Sequence, residues 1–413
     1  MEHVYSSIDI GTDTIKIVVC ELHKNHLNLL AACSTKSEGI KKGLIVDPNL
    51  ARKSIENAFQ EIEDMLGIKI KKVIASVPSY NSEYKIIKGE TRVLGDLITS
   101  NDMTAAYQNG IRAVLKPGSE FITLVPIDFK INNKTVMKDP KDFPGETLLA
   151  RAMTIMAPKK NLYSVGSILE SLDIEVVDIA VTSVGDINSF KTKKTDTDIG
   201  AILNVGSETT TISLYNKGIP VNTKIVSMGG RDIDKDIAYM YKIEIEEAKK
   251  IKEKFALATK QGSNPKDEYE VTTLEGNKIK INQSEVSEIV MYRLEEILQL
   301  AKKEINLLTN RTIQYIILTG GTSNLLNFET VAKDILGSKA YVGEIKLTGV
   351  RNNKYSTALG NIIYFIGTLK LKDQNYTMLS SRDMEILSSP NKHFINTSNE
   401  TMLGKVFGYF FGE

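Results

Sequence analysis

Two stretches of the sequence, "SSIDIGTDTIKIVVCEL" (residues 6–22) and "AILNVGSETTTISLYNK" (residues 201–217), follow one pattern almost half a chain apart. Each predicts an apolar strand, a turn of small and polar residues around one glycine, and a second apolar strand. Both pairs of strands continue into a third strand, through the turn residues "HKNH" at 23–26 and "YNKG" at 215–218. The repeat predicts two similar lobes, each of which opens with a glycine-centred turn.

The two turns carry the residue types that bind phosphate. A glycine lets the backbone pass close to a ligand, so that its N–H groups face an anion, and neighbouring Thr or Ser hydroxyls add donors. Either turn by itself is more simply a plain hairpin, but a matched pair favours a clamp for a polyphosphate. The aligned residues are Asp9, Gly11, Thr12, Asp13 and Thr14 in the first turn, and Asn204, Gly206, Ser207, Glu208 and Thr209 in the second.

A third element supports the clamp. The stretch "YIILTGGTSNLLNFETVAKDIL" (residues 315–336) predicts a buried strand over Tyr315–Leu318, a break at Gly320 and Gly321, and a helix that begins near Asn324. A glycine pair and a helix N-terminus at the carboxyl end of a strand occupy the place where nucleotides bind in α/β sheets.

Composition limits the class of protein. The chain has 413 residues, of which 42% are hydrophobic and 25% charged, with a net charge of +1. These values describe a globular protein large enough for two hydrophobic cores, and the net charge is too small to attract nucleic acid. Cys20 and Cys33 are expected to be core residues of a reduced protein. The start "MEHVYSSIDIG" predicts no secretory signal, and no apolar run reaches the roughly 20 residues of a spanning helix, so we expect a cytoplasmic protein whose membrane contact is peripheral.

The three elements resemble the phosphate 1, phosphate 2 and adenosine motifs of the actin, Hsp70 and sugar-kinase ATPase superfamily. Between the core elements of the lobes, a segment over residues 84–163 predicts a helix at Met103–Leu115 and strands from Glu120 and at "TLLARAMTIMAP". This insertion, with "GIKKGLIVD" (39–47), "VIASVPS" (73–79) and "LVPIDFKI" (124–131), is similar to the FtsA family of bacterial cell-division proteins, whose first lobe carries a subdomain called 1C at this place.

The resemblance implies an α/β chain with an actin/Hsp70-like two-lobe ATPase fold, an inserted FtsA-type 1C subdomain and a C-terminal amphipathic helix. It divides the chain into the core of lobe 1 (1A, residues 1–83 and 164–196), the insertion (1C, 84–163), the core of lobe 2 (2A, 197–227 and 311–371, with a return to 1A), subdomain 2B (228–310), a flexible linker (372–400) and a membrane-targeting helix (401–413).

The resemblance also implies a function. Such a protein binds ATP with Mg²⁺, polymerises into actin-like filaments on the cytoplasmic side of the cell membrane at the division site, holds the C-terminal peptide of the division tubulin FtsZ there, and recruits other divisome membrane proteins to the septum. Asp9 would organise the water shell of the metal, a task that suits a carboxylate. The residues expected to hold the nucleotide are Gly11, Thr12, Asp13, Thr14, Lys16, Gly206, Ser207, Glu208, Thr209, Gly230 and Lys252, with Gly320, Gly321 and Thr322 lining the adenosine.

Two positions depart from the family pattern. Asn204 stands where the family usually has the aspartate of the second lobe, so that one negative charge near the metal is lost. On the helix "IEEAKKIKEKFA", which resembles the family's ribose-side helix, Lys249 stands where a Glu is usual, whereas Lys252 fits. Both changes predict at most a slow ATPase, in which binding and polymerisation matter more than turnover.

The helix "SEVSEIVMYRLEEILQLAKKEINLL" is the expected partner site. It places Arg293, Lys302 and Lys303 nearer its polar side than its apolar stripe. In the FtsA family this region of lobe 2 receives the FtsZ peptide, so a basic groove is one interpretation. A solvated face with charge pairs along the helix is the other.

The chain ends in "TMLGKVFGYFFGE" (401–413), whose apolar residues recur at helical spacing. After a polar linker, this tail predicts an amphipathic helix that lies in a membrane surface, with docking on its own lobe as the alternative. The residues expected to enter the lipid are Leu403, Val406, Phe407, Phe410 and Phe411.

Other members of the superfamily remain as alternatives. A PilM-like pilus assembly platform shares the insertion but lacks the lipid-binding tail. A sugar-kinase-type phosphotransferase would need a catalytic carboxylate facing a substrate pocket, and none is evident in the sequence. A plasmid-segregating actin would have neither the insertion nor the tail.

Overall fold

The first lobe is built on a sheet whose first three strands run antiparallel. The computed structural model describes residues 3–388. Tight turns join the strands, and helix α1 begins directly after Asp47, whose carboxylate caps the N–H groups of Asn49 and Leu50. The elements up to residue 77 are β1 (His3–Ile10), β2 (Thr14–His23), β3 (His26–Lys36), β4 (Ile40–Lys41), β5 (Leu44–Ile45), α1 (Pro48–Leu66) and β6 (Lys72–Val77).

The inserted segment folds as a separate four-stranded sheet with one helix on it. The helix begins at Ser100, three residues before the predicted start, because Thr99 and Asp102 form a capping box there. Met103 and Ala106 on the apolar side of the helix share one core with Phe129 of the sheet. The elements are β7 (Glu83–Arg92), α2 (Ser100–Arg112), β8 (Ser119–Ile131), β9 (Thr135–Met137) and β10 (Thr147–Pro158), in the sheet order β7-β10-β8-β9.

The chain then completes lobe 1 and crosses to lobe 2. Helix α4 follows the last strand of the first sheet and leads toward the second lobe. These connecting elements are α3 (Lys159–Glu170), β11 (Glu175–Val181), α4 (Thr182–Ser189) and α5 (Lys193–Thr197).

The second lobe repeats the strand pattern and adds helices around a small hairpin. Its elements are β12 (Ile199–Val205), β13 (Thr210–Asn216), β14 (Ile219–Val226), α6 (Gly230–Tyr241), α7 (Ile245–Lys254), β15 (Glu268–Thr272), β16 (Lys278–Asn282), α8 (Gln283–Leu308), β17 (Tyr315–Thr319), α9 (Phe328–Leu336), β18 (Ala340–Val342), α10 (Ser356–Leu371) and α11 (Ser381–Ser388), with short 3₁₀ turns at Gly321–Asn324 and Asn353–Tyr355.

The two central sheets have one design. The first has the order β11-β6-β1-β2-β3 and the second β14-β13-β12-β17-β18. In both sheets the first three strands of the lobe are antiparallel neighbours, and two further strands continue in parallel from the first of them. The order β3-β2-β1-β6-β11 in lobe 1 therefore corresponds to β14-β13-β12-β17-β18 in lobe 2. The second turn of each meander has two residues with positive φ, Lys24 and Asn25 in lobe 1, and Lys217 and Gly218 in lobe 2, as two-residue hairpins require. The internal repeat seen in the sequence is thus a repeat of structure.

The lobes meet where α4 packs against α10. The two helices approach so closely at Gly185 and Gly360 that a Cβ on Gly360 would lie 1.7 Å from the carbonyl oxygen of Gly185. Only glycine allows this contact. Cys20 and Cys33 are both buried free thiols, as expected for core residues.

The segment after α10 corrects one prediction. Residues 372–400 were expected to form a flexible linker, but residues 376–388 pack on lobe 1. The N–H of Met378 donates to the carbonyl of Val4 at 2.9 Å, and the N–H of Val4 donates to Thr377 Oγ1 at 3.0 Å. Leu379 and Leu387 are buried in the core of lobe 1. We call residues 376–388 the strap; its apolar side chains are too widely spaced along a polar stretch to stand out as a helix pattern.

Candidate functional site

The two glycine turns have the same local geometry. In the first, the N–H of Gly11 donates to the carbonyl of Thr14 at 3.1 Å; in the second, the N–H of Gly206 donates to the carbonyl of Thr209 at 2.9 Å. The register around them is also the same, because Asp9 pairs with Lys16 across β1 and β2 as Asn204 pairs with Thr211 across β12 and β13. Because their hydrogen bonds and strand registers match, the two turns are copies of one structural motif.

The two turns line a single cleft between the lobes, which encloses about 570 Å³. This volume lies in the range of small-molecule and cofactor sites. Of the predicted nucleotide and metal residues, Glu208 and Gly320 are not in the cleft wall, while the others are. Those in the wall are Asp9, Gly11, Thr12, Asp13, Thr14, Lys16, Asn204, Gly206, Ser207, Thr209, Gly230, Lys252, Gly321 and Thr322.

The glycine pair after β17 is arranged differently from the prediction. Gly320 has φ +89°, and a Cβ there would lie 2.5 Å from both Asn204 Oδ1 and the carbonyl oxygen of Val205, so this position requires glycine. A Cβ on Gly321 would meet no atom within 4 Å, and this residue faces open space in the cleft. The helix expected near Asn324 begins only at Phe328, because the Asn324 amide donates to the carbonyls of Gly320 and Gly321 and holds a 3₁₀ turn. The cleft therefore meets a glycine turn here and no helix N-terminus.

The floor of the cleft on the lobe 1 side is formed around Asp9. Its Oδ1 accepts a hydrogen bond from Ser76 Oγ at 2.8 Å, and its Oδ2 pairs with Lys16 Nζ at 3.2 Å. Each carboxylate oxygen keeps a lone pair for a further donor. Within residues 3–388 no group of three or more His, Cys, Asp or Glu side chains is placed to hold a metal ion.

The wall on the lobe 2 side is held by a buried ion pair. Lys252 Nζ lies 2.7 Å from Asp234 Oδ1, with the two side chains 7% and 6% exposed, and it donates to the carbonyl of Gly230 at 3.0 Å. Burial raises the pKa of Asp234, while the charge of Lys252 lowers it. The Lys252 ammonium, predicted to bind the nucleotide, thus also joins α6 to α7 at the cleft wall.

Two contacts join the lobes across the mouth of the cleft. Lys249 Nζ lies 2.7 Å from Asp13 Oδ2, and the N–H of Lys42 donates to Glu208 Oε2 at 3.0 Å. Burial lowers the pKa of Lys249, but its hydrogen bond and charge interaction with Asp13 outweigh this and the net direction is upward. The Asp13 and Glu208 carboxylates, predicted to be nucleotide residues, therefore each bind the opposite lobe.

Among the charged residues that sequence reasoning missed are one in the cleft wall, Lys354, and one directly behind it, Asp186. Lys354 lines the cleft, and burial together with the nearby charge of Lys16 lowers its pKa. Asp186, on α4, is 1% exposed and accepts a hydrogen bond from the Asn204 amide at 2.8 Å. The loop "RNNKY" before α10 and the lone acid in "TSVGDI" on an apolar helix were the only signals for them.

The predicted partner residues on α8 do not form one surface. Arg293 is half-buried and pairs with Asp236 at 2.6 Å and with Glu296. Lys302 and Lys303 instead line a shallow groove of about 500 Å³ between α8 and α9, next to Leu307, which is exposed. The groove at this helix therefore contains the two lysines together with Asp334, and it does not include Arg293.

The predicted membrane residues Leu403, Val406, Phe407, Phe410 and Phe411 lie outside the described residues. In residues 3–388 no helix has the length and apolar character needed to cross a membrane.

Comparisons with known proteins agree with this architecture. The family model described as "Cell division protein FtsA" matches residues 201–360. The chain is 28% identical to cell division protein FtsA of Bacillus subtilis over 370 residues, which is 87% of this chain and 82% of that protein. It is 26% identical to FtsA of Staphylococcus epidermidis over 396 residues, 93% of this chain and 83% of that protein.

Solved structures show the same fold at low sequence identity. The PilM-PilN type IV pilus biogenesis complex contains a chain that matches with a TM-score of 0.59 and 14% identity, covering 87% of this chain and 98% of that chain. MreB5 of Spiroplasma citri bound to ADP matches with a TM-score of 0.56 and 13% identity, covering 91% and 99%.

The paired sheets, the paired glycine turns and these likenesses show a two-lobe, actin-like fold, which confirms the fold class predicted from the sequence. The C-terminal helix of that prediction lies outside the described residues. Within this class, the sequence matches confirm the resemblance to the FtsA family of cell-division proteins, to which the chain is related over most of its length. The likeness to PilM is one of fold alone.

Proposed function

We propose that the cleft binds ATP together with Mg²⁺. The observation that carries this proposal is the matched pair of glycine turns, which have the same internal hydrogen bond and place Gly11, Thr12, Gly206, Ser207 and Thr209 in the wall of one cavity. Such turns bind phosphate through backbone N–H groups and hydroxyls. Gly321 leaves open space at the third wall for the adenosine.

Asp9 would serve Mg²⁺ through its water shell, from the position where Ser76 and Lys16 hold its carboxylate. Bound Mg²⁺ would supply positive charge to offset the phosphate oxygens. Across the cleft, Asn204 offers a neutral amide oxygen in place of a carboxylate, which gives a cation less electrostatic stabilisation. We therefore expect the protein to bind ATP but to hydrolyse it slowly, if at all.

Gly321→Glu tests the nucleotide proposal. Nothing lies within 4 Å of its Cβ position, so a glutamate fits without disturbing the fold and projects into the cleft. The glutamate side chain would fill the space that we assign to the adenosine, so the affinity should fall by about two orders of magnitude, which is roughly 2.7 kcal/mol. Titration with a fluorescent ATP analogue should show this loss. Gly166→Glu is the matched control, because its Cβ position on α3 is equally open and lies outside the cleft wall; equal affinity in the two variants would contradict the proposal.

We further propose that the protein acts in cell division as an actin-like polymer. The relationship to FtsA supports filament assembly at the cytoplasmic side of the cell membrane, attachment of FtsZ filaments there, and recruitment of other divisome proteins. The groove beside Lys302 and Lys303 has the charge and the exposed apolar side chain of Leu307 that an acidic, partly apolar peptide such as the FtsZ C-terminus would contact.

The membrane attachment is assigned to the tail at residues 401–413. Five apolar side chains at about 1.5–3 kcal/mol each give on the order of 8–15 kcal/mol, and the cost of ordering about ten residues, at roughly 1–2 kcal/mol each, is of the same size. One tail would therefore bind lipid weakly, and a filament that presents many tails would bind by avidity. Deletion after Glu400, or Phe407→Glu, should abolish co-sedimentation with liposomes while ATP binding persists. Equal co-sedimentation of parent and deletion would contradict the anchor.

A further inference from the structure

A buried carboxylate lies behind Asn204, at the junction of the two lobes. Asp186 is 1% exposed and accepts three hydrogen bonds, from Asn204 Nδ2 at 2.8 Å, Ser356 Oγ at 2.9 Å and Thr357 Oγ1 at 2.9 Å. The donors come from β12 and α10, whereas Asp186 is on α4. The group therefore ties a cleft residue to the two helices that join the lobes.

The surroundings of the carboxylate suit its charged form, because all three of its hydrogen-bond partners donate to it. Burial raises the pKa of Asp186 to about 6; the hydrogen bonds from Asn204, Thr357 and Ser356 lower it, and the nearby Asp9 raises it. A buried charge is tolerated where it is paired or fully hydrogen-bonded, which the three donors achieve here.

This charge fixes the direction of the Asn204 amide. Because Nδ2 donates to Asp186, Oδ1 is on the other side of the amide, near Gly320, and Asn204 itself lines the cleft. The flipped amide would set its oxygen against a carboxylate that has no proton to donate. Without Asp186, either orientation would be open to Asn204.

We infer that Asp186 is a positioning residue for the nucleotide site: it holds the Asn204 oxygen toward the cleft and supplies from behind Asn204 the negative charge that residue 204 lacks. The inference rests on the proposed binding of ATP with Mg²⁺. It also alters what a single substitution can do. Asn204→Asp would place two carboxylates about as close as the present 2.8 Å contact, so one of them must take up a proton.

The decisive experiment exchanges the two side chains. We compare the parent, Asn204→Asp, Asp186→Asn and the exchanged double variant Asp186→Asn/Asn204→Asp. Chemical unfolding of nucleotide-free protein should show that each single change destabilises and that the exchange recovers most of the loss, because it restores one carboxylate bonded to one amide. Additive losses would overturn the pairing.

The second measurement is the affinity for a fluorescent ATP analogue in Mg²⁺ and in EDTA. For Asp186→Asn we expect the gain in affinity that Mg²⁺ gives the parent to fall about tenfold, with little change in EDTA. The exchanged variant should regain or exceed the parent's Mg²⁺ dependence. Ser356→Ala is the matched control: it removes another donor from the same carboxylate without freeing Asn204, so it should lower stability and keep the Mg²⁺ dependence.

These outcomes separate the two proposals. A parent protein that does not bind the analogue would overturn the proposed function itself. A parent that binds with a Mg²⁺ dependence equal to that of Asp186→Asn would overturn the positioning role alone.

Discussion

Replacing Lys252 by methionine tests how the lobe 2 wall of the cleft is held. Methionine keeps the apolar stem and removes the ammonium, which lies 2.7 Å from Asp234 and donates to the carbonyl of Gly230. Asp234 would then remain in a site where only 6% of its side chain is exposed. The change isolates a charge without opening a large cavity.

The expected cost follows from the burial of the pair. Removing one partner of a buried ion pair costs about 3–5 kcal/mol, because the other charge stays buried and unpaired. Burial already raises the pKa of Asp234 and Lys252 lowers it, so the pKa rises further in the variant. A carboxyl whose folded pKa is raised is more stable in the folded state when protonated; the loss should therefore be small near pH 4 and grow as pH rises through the folded pKa.

Hydrogen exchange measured by mass spectrometry on nucleotide-free protein gives the local free energy of opening. Peptides from α6 and α7 should lose about 3–5 kcal/mol of protection, whereas peptides from the inserted sheet should not change. Lys252→Met/Asp234→Leu removes both charges and should recover most of the loss. A loss below about 1 kcal/mol, or a double variant as unstable as the single one, would refute this reasoning.

Two further predictions concern other ion pairs. Lys249→Glu sets a like charge against Asp13 across the cleft mouth and should speed release of a fluorescent ATP analogue about fivefold, which corresponds to roughly 1 kcal/mol for a partly exposed pair. Adding Asp13→Lys to the same chain should restore the parent's release rate. An unchanged release rate in the single variant would count against the contact. Arg151 lowers the pKa of Asp128 through its hydrogen bond, so the pair should stabilise the inserted sheet above the unfolded pKa of about 3.9 and cease to do so as pH falls through the lower folded pKa. Circular dichroism of unfolding from pH 7 to 3 should show parent and Arg151→Gln converging in acid, and a constant difference would argue against it.

The fold was predictable because its signals are local and repeated. The two stretches around Gly11 and Gly206 differ in most residues but keep the strand, turn and strand pattern, and the structure gives both turns the same hydrogen bond. Turn chemistry also placed the two-residue hairpins. Features that depend on a single side chain were less accessible: the expected helix near Asn324 was displaced to Phe328 because one amide bonds two carbonyls.

The parts of the site that were missed depend on contacts between distant residues. Asp186 is one acid on an apolar helix, and only the fold brings Ser356, 170 residues later, to its carboxylate. Arg293 looked available on the polar side of α8, but Asp236 of α6 lies against it. Neither partner can be found from spacing along one helix, because each belongs to another element.

The strap attaches the C-terminal tail to lobe 1 and not to lobe 2. Residues 376–388 are fastened to the start of β1 and to the core of lobe 1. If the tail binds a membrane as proposed, lobe 1 is held at the lipid surface. Any change in the width of the cleft would then move lobe 2 about the contact between α4 and α10. A partner bound in the groove at Lys302 and Lys303 would move with lobe 2 relative to the membrane.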